Sequence, residues 1–281
     1  MLSELISDGT VDSAALSASQ FSTISRIIHD RCGICFPEGK EVLVKSRLIK
    51  RLRILGLGGF DQYLRYIDED SSGTELATMI DALTTNKTNF FRESHHFDFI
   101  RTRMLPEFRE SNSKIRFWSA GCSTGEEPYS LAILLSNELP QTRRNNCQIL
   151  ATDISRRVLA IAREGVYSEE SLNQASPSLW KKHVVCTQTK PDRVYRIGDE
   201  ERAMIRFAYL NLTESWPMKG PFDAIFCRNV MIYFDGDTRK KLVRRFYDLI
   251  KPGGYLFVGH SESLGSTSRE FRYVEPAIYV K

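Results

Sequence analysis

The chain has 281 residues, 42% of them hydrophobic and 26% charged, with a formal net charge of +4. That composition is globular, and the length suits one large or two modest domains with a full core. No apolar run approaches membrane-spanning length, and residues 1–19 lack the basic start and apolar block of a secretory signal, so a cytoplasmic protein is expected.

Residues 1–16 are small and polar and read as a flexible tail. Ser17 to Gln20 has the S-x-x-Q pattern of a capping box, after which Phe21, Ile24, Ile27 and Ile28 recur at helical spacing up to Gly33. Further helices are expected over Glu41–Leu55, from Phe60 through Ile67, and around Leu76, Met79, Ile80 and Leu83. Residues 17–85 therefore read as an all-helical N-terminal domain.

From residue 86 the pattern changes. A helix from Ser94 to about Arg109 leads into alternating strands and helices. The strands are expected at Ile115–Ala120, Gln148–Ile154, Ile205–Leu212, Ala224–Arg228, Tyr255–Gly259 and Arg272–Val280. The helices are Pro128–Leu139, Arg156–Glu164 and Asp237–Ile250, the last stopped by Pro252-Gly253-Gly254. Such alternation implies an α/β domain, residues 86–281, with a mainly parallel, doubly wound sheet and an antiparallel edge at its end. Residues 184–207 interrupt the rhythm and read as a small inserted β subdomain.

Six cysteines are too scattered for a disulfide framework. Cys32 and Cys35 form a C-x-x-C near His29, but no second pair completes a zinc set, so no metal is expected.

The domain is organised around Lys114–Leu139, KIRFWSAGCSTGEEPYSLAILLSNEL, which reads as strand, glycine turn and helix. Such a turn lets backbone approach a ligand closely where a parallel sheet meets a helix. Gly121 and Gly125 are four apart with no third glycine, unlike a dinucleotide fingerprint, and no phosphate-binding lysine follows. Glu126 and Glu127 stand where a pyrophosphate would lie and would repel it. Asp153 ends the second strand, where an acid commonly holds ribose hydroxyls; capping of the next helix is the alternative. Ribose hydroxyls, no phosphate and a cationic centre together describe S-adenosylmethionine.

The blocks TTNKTNFFRE, WSAGCSTGEEPYSLA, ATDIS, FCRNVMIYF and GGYLFVGHSES, in that order, resemble the chemotaxis receptor methyltransferase family, CheR, across roughly Phe21 to Val280. The resemblance implies a Rossmann-like class I methyltransferase sheet behind a helical N-terminal domain, with a β subdomain inserted. It implies methyl transfer from S-adenosylmethionine to glutamate carboxylates of methyl-accepting chemotaxis receptors. By the same resemblance Asn86, Thr88, Arg92, Gly121, Glu127, Asp153, Asn211, Leu212, Arg228 and Asn229 hold the cofactor. Tyr233 and Arg92 are then the catalytic candidates.

Residue chemistry supports parts of that assignment. Arg92 suits a bidentate pair with a methionine carboxylate, an interdomain salt bridge to Glu93 or another acid being the alternative. Asn211 reads equally as a turn residue, and Tyr233 as a core tyrosine. The segment after the fourth main strand, RNVMIY, lacks the [ND]-P-P-[YF] box of enzymes that methylate planar amines. Nor does a proline precede Cys227, which reads as a buried thiol. Transfer to oxygen remains.

Glu41–Leu55 carries an apolar stripe of Val44, Leu48, Leu52 and Leu55, and is otherwise basic through Lys40, Arg47, Lys50, Arg51 and Arg53, with no balancing acid beyond Glu41. Arg47, Lys50, Arg51 and Arg53 are the expected receptor-binding residues, suited to a glutamate-rich partner helix. No aromatic residues interleave these charges, so nucleic acid is not expected. The loop Thr187–Arg193 lacks the glycine found where family members dock a receptor's C-terminal pentapeptide, so no such tether is expected. A monomer is expected.

Overall fold

The computed structural model describes residues 14–110, 113–265 and 270–281. Most of the expected tail, residues 1–13, lies outside the described residues. The chain forms two compact units, one ending at Thr85 and the other beginning at Asn86.

The first unit contains the helices Ala18–Cys32, Glu41–Leu55, Phe60–Glu69 and Thr74–Leu83. The capping box forms as the spacing predicts: the Gln20 N–H donates to Ser17 Oγ at 3.2 Å and the Ser17 N–H to Gln20 Oε1 at 2.8 Å. Ile24, Val44, Leu48, Leu52, Tyr63 and Met79 are fully buried, so the helical spacing of these residues marks a real core.

The second unit holds a seven-stranded sheet in the order β6-β2-β1-β7-β8-β10-β9. Its strands are β1 Ile115–Ala120, β2 Cys147–Asp153, β6 Ile205–Tyr209, β7 Phe222–Cys227, β8 Ile250–Val258, β9 Arg272–Glu275 and β10 Ile278–Val280. The first five in that order pair in parallel, and β10 and β9 turn back antiparallel, giving the expected edge. β1 is central and buried at every position but Arg116, as a parallel strand covered on both faces must be. Between β7 and β8 the Phe226 and Phe257 rings stack with centroids 4.6 Å apart, each burial contributing on the order of 1.5–3 kcal/mol. Strand order reverses direction at β1, with β2 on one side and β7 on the other. The loops leaving β1 and β7 therefore face each other across a crevice, where such sheets bind ligands.

Four expectations change. The helix from Ser94 is not continuous: it runs Ser94–Phe99, passes through a π-turn at Ile100–Met104, and resumes at Leu105–Glu110. Pro106 has no N–H to donate to the preceding turn, and just before it the Leu105 N–H reaches back five residues to the Ile100 carbonyl. Pro252-Gly253-Gly254 does not separate helix from strand; the helix Gly236–Leu249 ends first and the three residues lie inside β8, opposite a register shift in β7. The last strand is a hairpin of two, β9 and β10. The small sheet starts earlier than residue 184: it pairs β3 Val166–Ser168, β5 Val194–Ile197 and β4 Val184–Gln188 in the order β3-β5-β4, while Ile205–Phe207 belongs to the main sheet. β3 is three residues long, too short for an alternating pattern to register.

Candidate active site

The turn after β1 begins at Gly121, with φ of +90°. A Cβ there would lie 2.4 Å from Val230 Cγ2, so the loop after β7 presses directly on this backbone. Ser123 follows in the left-handed region; its N–H donates to Asp153 Oδ2 at 2.8 Å and its hydroxyl to the Asn86 carbonyl at 2.8 Å. Asp153 also accepts the Ser155 N–H through Oδ1 at 2.9 Å. The buried Asp153 carboxylate thus joins the end of β2 to the β1 turn. The helix cap itself is Ser155, whose hydroxyl accepts the Val158 N–H at 3.2 Å, so the capping read for Asp153 from sequence falls to its neighbour.

The helix Glu126–Glu138 starts at the turn with two carboxylates. Glu126 is buried and accepts the Thr124 hydroxyl at 2.6 Å; burial raises its pKa. Glu127 accepts the Ser119 hydroxyl at 2.7 Å and Arg228 Nη1 at 2.9 Å. Burial raises the Glu127 pKa as well, opposed by Arg228.

Arg228, at the end of β7, is the hub. Its side chain is 3% exposed. It pairs with Glu127 through Nη1 and with Glu93 through Nη2 at 3.2 Å and Nε at 3.3 Å, and it donates to the Arg92 carbonyl. One guanidinium therefore ties three segments: the linker at Arg92-Glu93, the helix start at Glu127 and the end of β7. Its fixed planar fork suits this; a point charge does not. Glu93 itself has φ of +56° and accepts the His260 N–H at 3.2 Å, drawing in the loop after β8. Beneath it, His96 is fully buried, and desolvation pushes its pKa down to about 2, so it stays neutral.

Arg92 is half-buried and donates to the Lys87 carbonyl at 3.0 Å; among the described residues it pairs with no carboxylate. The alternative of an internal ion pair therefore falls to Arg228, not Arg92. Thr88 is half-buried on the same linker. Asn211 is buried and folds into an Asx turn, accepting from the Thr213 N–H at 3.1 Å and hydroxyl at 2.8 Å and donating to Glu214 at 3.0 Å. Leu212 is buried beside it, its carbonyl held by Arg245 at 2.7 Å. Asn229 has φ of +59°, and Tyr233 closes a 3₁₀ turn, Met231–Tyr233, half-buried with no hydroxyl hydrogen bond among the described residues. Cys227 is fully buried, and desolvation raises its thiol pKa well above the ordinary value, which removes it as a nucleophile.

The structure therefore gathers Asn86, Arg92, Gly121, Glu127, Asp153, Arg228, Asn229 and Tyr233 around the carboxyl ends of β1, β2 and β7. Sequence reading gave Glu93 only as an alternative partner for Arg92, and missed the buried Glu262, which accepts from backbone amides of the β7 loop. Both sit inside motif blocks that were recognised, FFRE and GHSES; an acid beside a strand end was the available signal.

The four basic residues of Glu41–Leu55 divide. Arg47 donates to the Leu83 carbonyl at 2.6 Å, the Thr84 carbonyl at 3.0 Å and the Thr85 hydroxyl at 2.9 Å, satisfying the otherwise open end of the helix Thr74–Leu83. Arg51 forms a bidentate pair with Glu75, at 3.0 and 2.5 Å. The expectation that no acid beyond Glu41 balances this helix is thereby corrected: Glu75 does so from another helix, where sequence distance hid it. Lys50 and Arg53 are exposed, with Val42 and Ile54 exposed on the same helix.

Residues 86–280 match the family model described as "CheR methyltransferase, SAM binding domain", and residues 19–84 match "CheR methyltransferase, all-alpha domain". The chain is 41% identical to the chemotaxis protein methyltransferase of Klebsiella aerogenes over 94% of its own length and 90% of that protein's. It is 39% identical to that of Borreliella burgdorferi, covering 95% of both, and 40% identical to that of Escherichia coli, covering 94% and 91%.

Proposed function

The chain belongs to the CheR methyltransferase family, and from that premise we propose how its residues carry out the reaction. It is an S-adenosylmethionine-dependent protein-glutamate O-methyltransferase that esterifies glutamate side chains of chemotaxis receptors. The observation that carries this reading is the set of four carboxylates, Glu93, Glu126, Glu127 and Asp153, gathered around the carboxyl ends of the parallel strands, with Arg228 pairing Glu93 and Glu127. That set of acceptors repels phosphate and suits a ligand with a cationic centre and ribose hydroxyls.

The residues present fit the cofactor. Asp153 and Glu127 would hold its hydroxyl and amino groups, Arg92 its carboxylate, and Asn86, Thr88, Gly121, Asn211, Leu212, Arg228 and Asn229 the rest of its surface. When bound, it supplies an electrophilic methyl group on a sulfonium. The acceptor carboxylate is already ionised near neutral pH, so no side chain need remove a proton. The protein orients the acceptor and strips its water. The Tyr233 hydroxyl donates to the incoming carboxylate and aims it, while Arg228 fixes the walls by locking Glu93 and Glu127.

Receptor docking falls to Lys50 and Arg53, both exposed on the basic helix; Arg47 and Arg51 contribute charge from inward positions. No helix among the described residues is long and apolar enough to cross a membrane. We place the protein in the cytoplasm as a monomer, acting without a receptor pentapeptide tether, because the β4–β5 loop carries no glycine.

Incubation with tritiated-methyl cofactor and receptor-bearing membranes is expected to give label that mild base releases as methanol. Base-stable label would rule out an ester. Reversing charge at both Lys50 and Arg53, to Glu, is expected to raise the receptor KM by about tenfold at low ionic strength, less as salt screens the field. Cofactor affinity and Tm should hold, since neither side chain is built into the helical core. An unchanged KM at low salt would remove these residues from the docking surface.

A further inference from the structure

We propose that Glu262 is a positioning residue for methyl transfer, holding the acceptor-side turn Asn229–Tyr233 in its working shape. The proposal rests on the reading that Tyr233 faces the transferred methyl. Glu262 lies in the turn after β8, its N–H donating to the Gly259 carbonyl at 2.8 Å. Its buried carboxylate reaches the loop after β7. Oε2 accepts the Asn229 N–H at 2.7 Å and the Gly259 N–H at 2.6 Å, and Oε1 accepts the Ile232 N–H at 3.1 Å. The Met231 amide also favours the ionised form, against burial, which raises the pKa.

These amides belong to no strand or long helix, so the carboxylate is what satisfies them; buried and unpaired, each would be costly. Asn229 is in the left-handed region, a conformation that needs holding. The two loops nest closely: a Cβ on Gly259 would lie 2.4 Å from Asn229 Nδ2 and 2.8 Å from its backbone nitrogen. Glu262 thus fixes both ends of a short segment that carries the 47%-exposed Ile232 and runs into the half-buried Tyr233. A carboxylate is the right group, because its two oxygens accept several donors and it has no proton to offer against them.

Glu262→Gln replaces one acceptor oxygen with an NH₂ facing N–H donors. In the full-length enzyme this is expected to lower kcat with receptor membranes on the order of 10- to 100-fold. Receptor KM and affinity for S-adenosylhomocysteine should change by less than about threefold. Hydrogen exchange at the amides of Asn229, Met231 and Ile232 should quicken, while that of β7 stays protected. A folded Glu262→Gln enzyme with near wild-type kcat would overturn the proposal, as would equal loss of protection throughout β7. If the Gln variant does not fold, Glu262→Asp, which keeps the charge but shortens the reach, takes its place with the same two deciding readouts. Tyr233→Phe separates the two readings. Wild-type kcat in that variant alone removes Tyr233 from the chemistry while a slow Glu262→Gln enzyme still supports the turn's role. The reverse pattern leaves Tyr233 standing and sinks Glu262.

Discussion

Replacing Arg228 with Met is expected to cost the methyltransferase unit about 3–5 kcal/mol of stability and to abolish measurable cofactor binding. The side chain is 3% exposed, and its two carboxylate partners, Glu93 and Glu127, are each 12% exposed. Met fills the space but leaves both acids facing each other without a counter-charge, and it frees the Arg92 carbonyl from its donor. Domains are commonly stable by only about 5–15 kcal/mol, so the loss is a large part of the whole. The pH dependence fixes the cause. Burial already raises the folded-state pKa of Glu127, and Arg228 is the first opposing influence. Without the guanidinium that pKa climbs further, so the folded state binds a proton more readily than the unfolded one. A raised carboxyl pKa makes stability fall as pH rises through the folded value and return as pH drops toward the ordinary value. The deficit of the variant should therefore be largest at neutral pH and shrink on acidification, read by urea unfolding at several pH values. A deficit under about 1 kcal/mol, or one that grows on acidification, would show that the ion network does not hold these segments together.

How far the sequence carried depended on whether the physics was local. The glycine turn, the carboxylates at the helix start and Asp153 at a strand end are short-range features, and a mainly parallel sheet followed from the alternation of strands and helices. The π-turn was also local, but its signal was a single proline inside a helical pattern, readable as a break and not as a change of helix type. What sequence could not carry was partnership at a distance. Arg228 and Glu93 are 135 residues apart, and Asn229 and Glu262 are 33 apart. Each acid looked like an ordinary motif neighbour, and only folding shows that one clamps a guanidinium and the other a loop. The basic helix was the same problem reversed: a run of cations looked uniformly available because the groups that occupy two of them come from the helix Thr74–Leu83 and the residues just after it.

That division of the basic helix sets the second large effect. Arg51→Ala is expected to destabilise the helical unit by about 2–4 kcal/mol, below the 3–5 kcal/mol of a wholly buried pair because the Arg51 side chain keeps 20% of its surface in water. Glu75 is 6% exposed and retains only the Tyr63 hydroxyl at 2.9 Å and its own backbone anchors. The hydrogen bond from Arg51 to Glu75 is what holds the guanidinium charged most firmly, consistent with its raised pKa. Loss of receptor methylation in this variant would resemble loss of docking, yet the causes separate by temperature. Well below the lowered Tm the receptor KM should return to within about threefold of wild type, unlike the Lys50 and Arg53 reversal, whose defect persists in a fully folded protein. Arg51→Met combined with Glu75→Gln removes both charges while leaving Tyr63 an acceptor, and it should recover at least half of the lost stability, because an absent ion pair costs less than a broken one. If the double variant is no more stable than Arg51→Ala, Arg51 contributes through packing and not through its pairing with Glu75. If the KM defect remains at low temperature, Arg51 belongs with Lys50 and Arg53 on the receptor-binding surface.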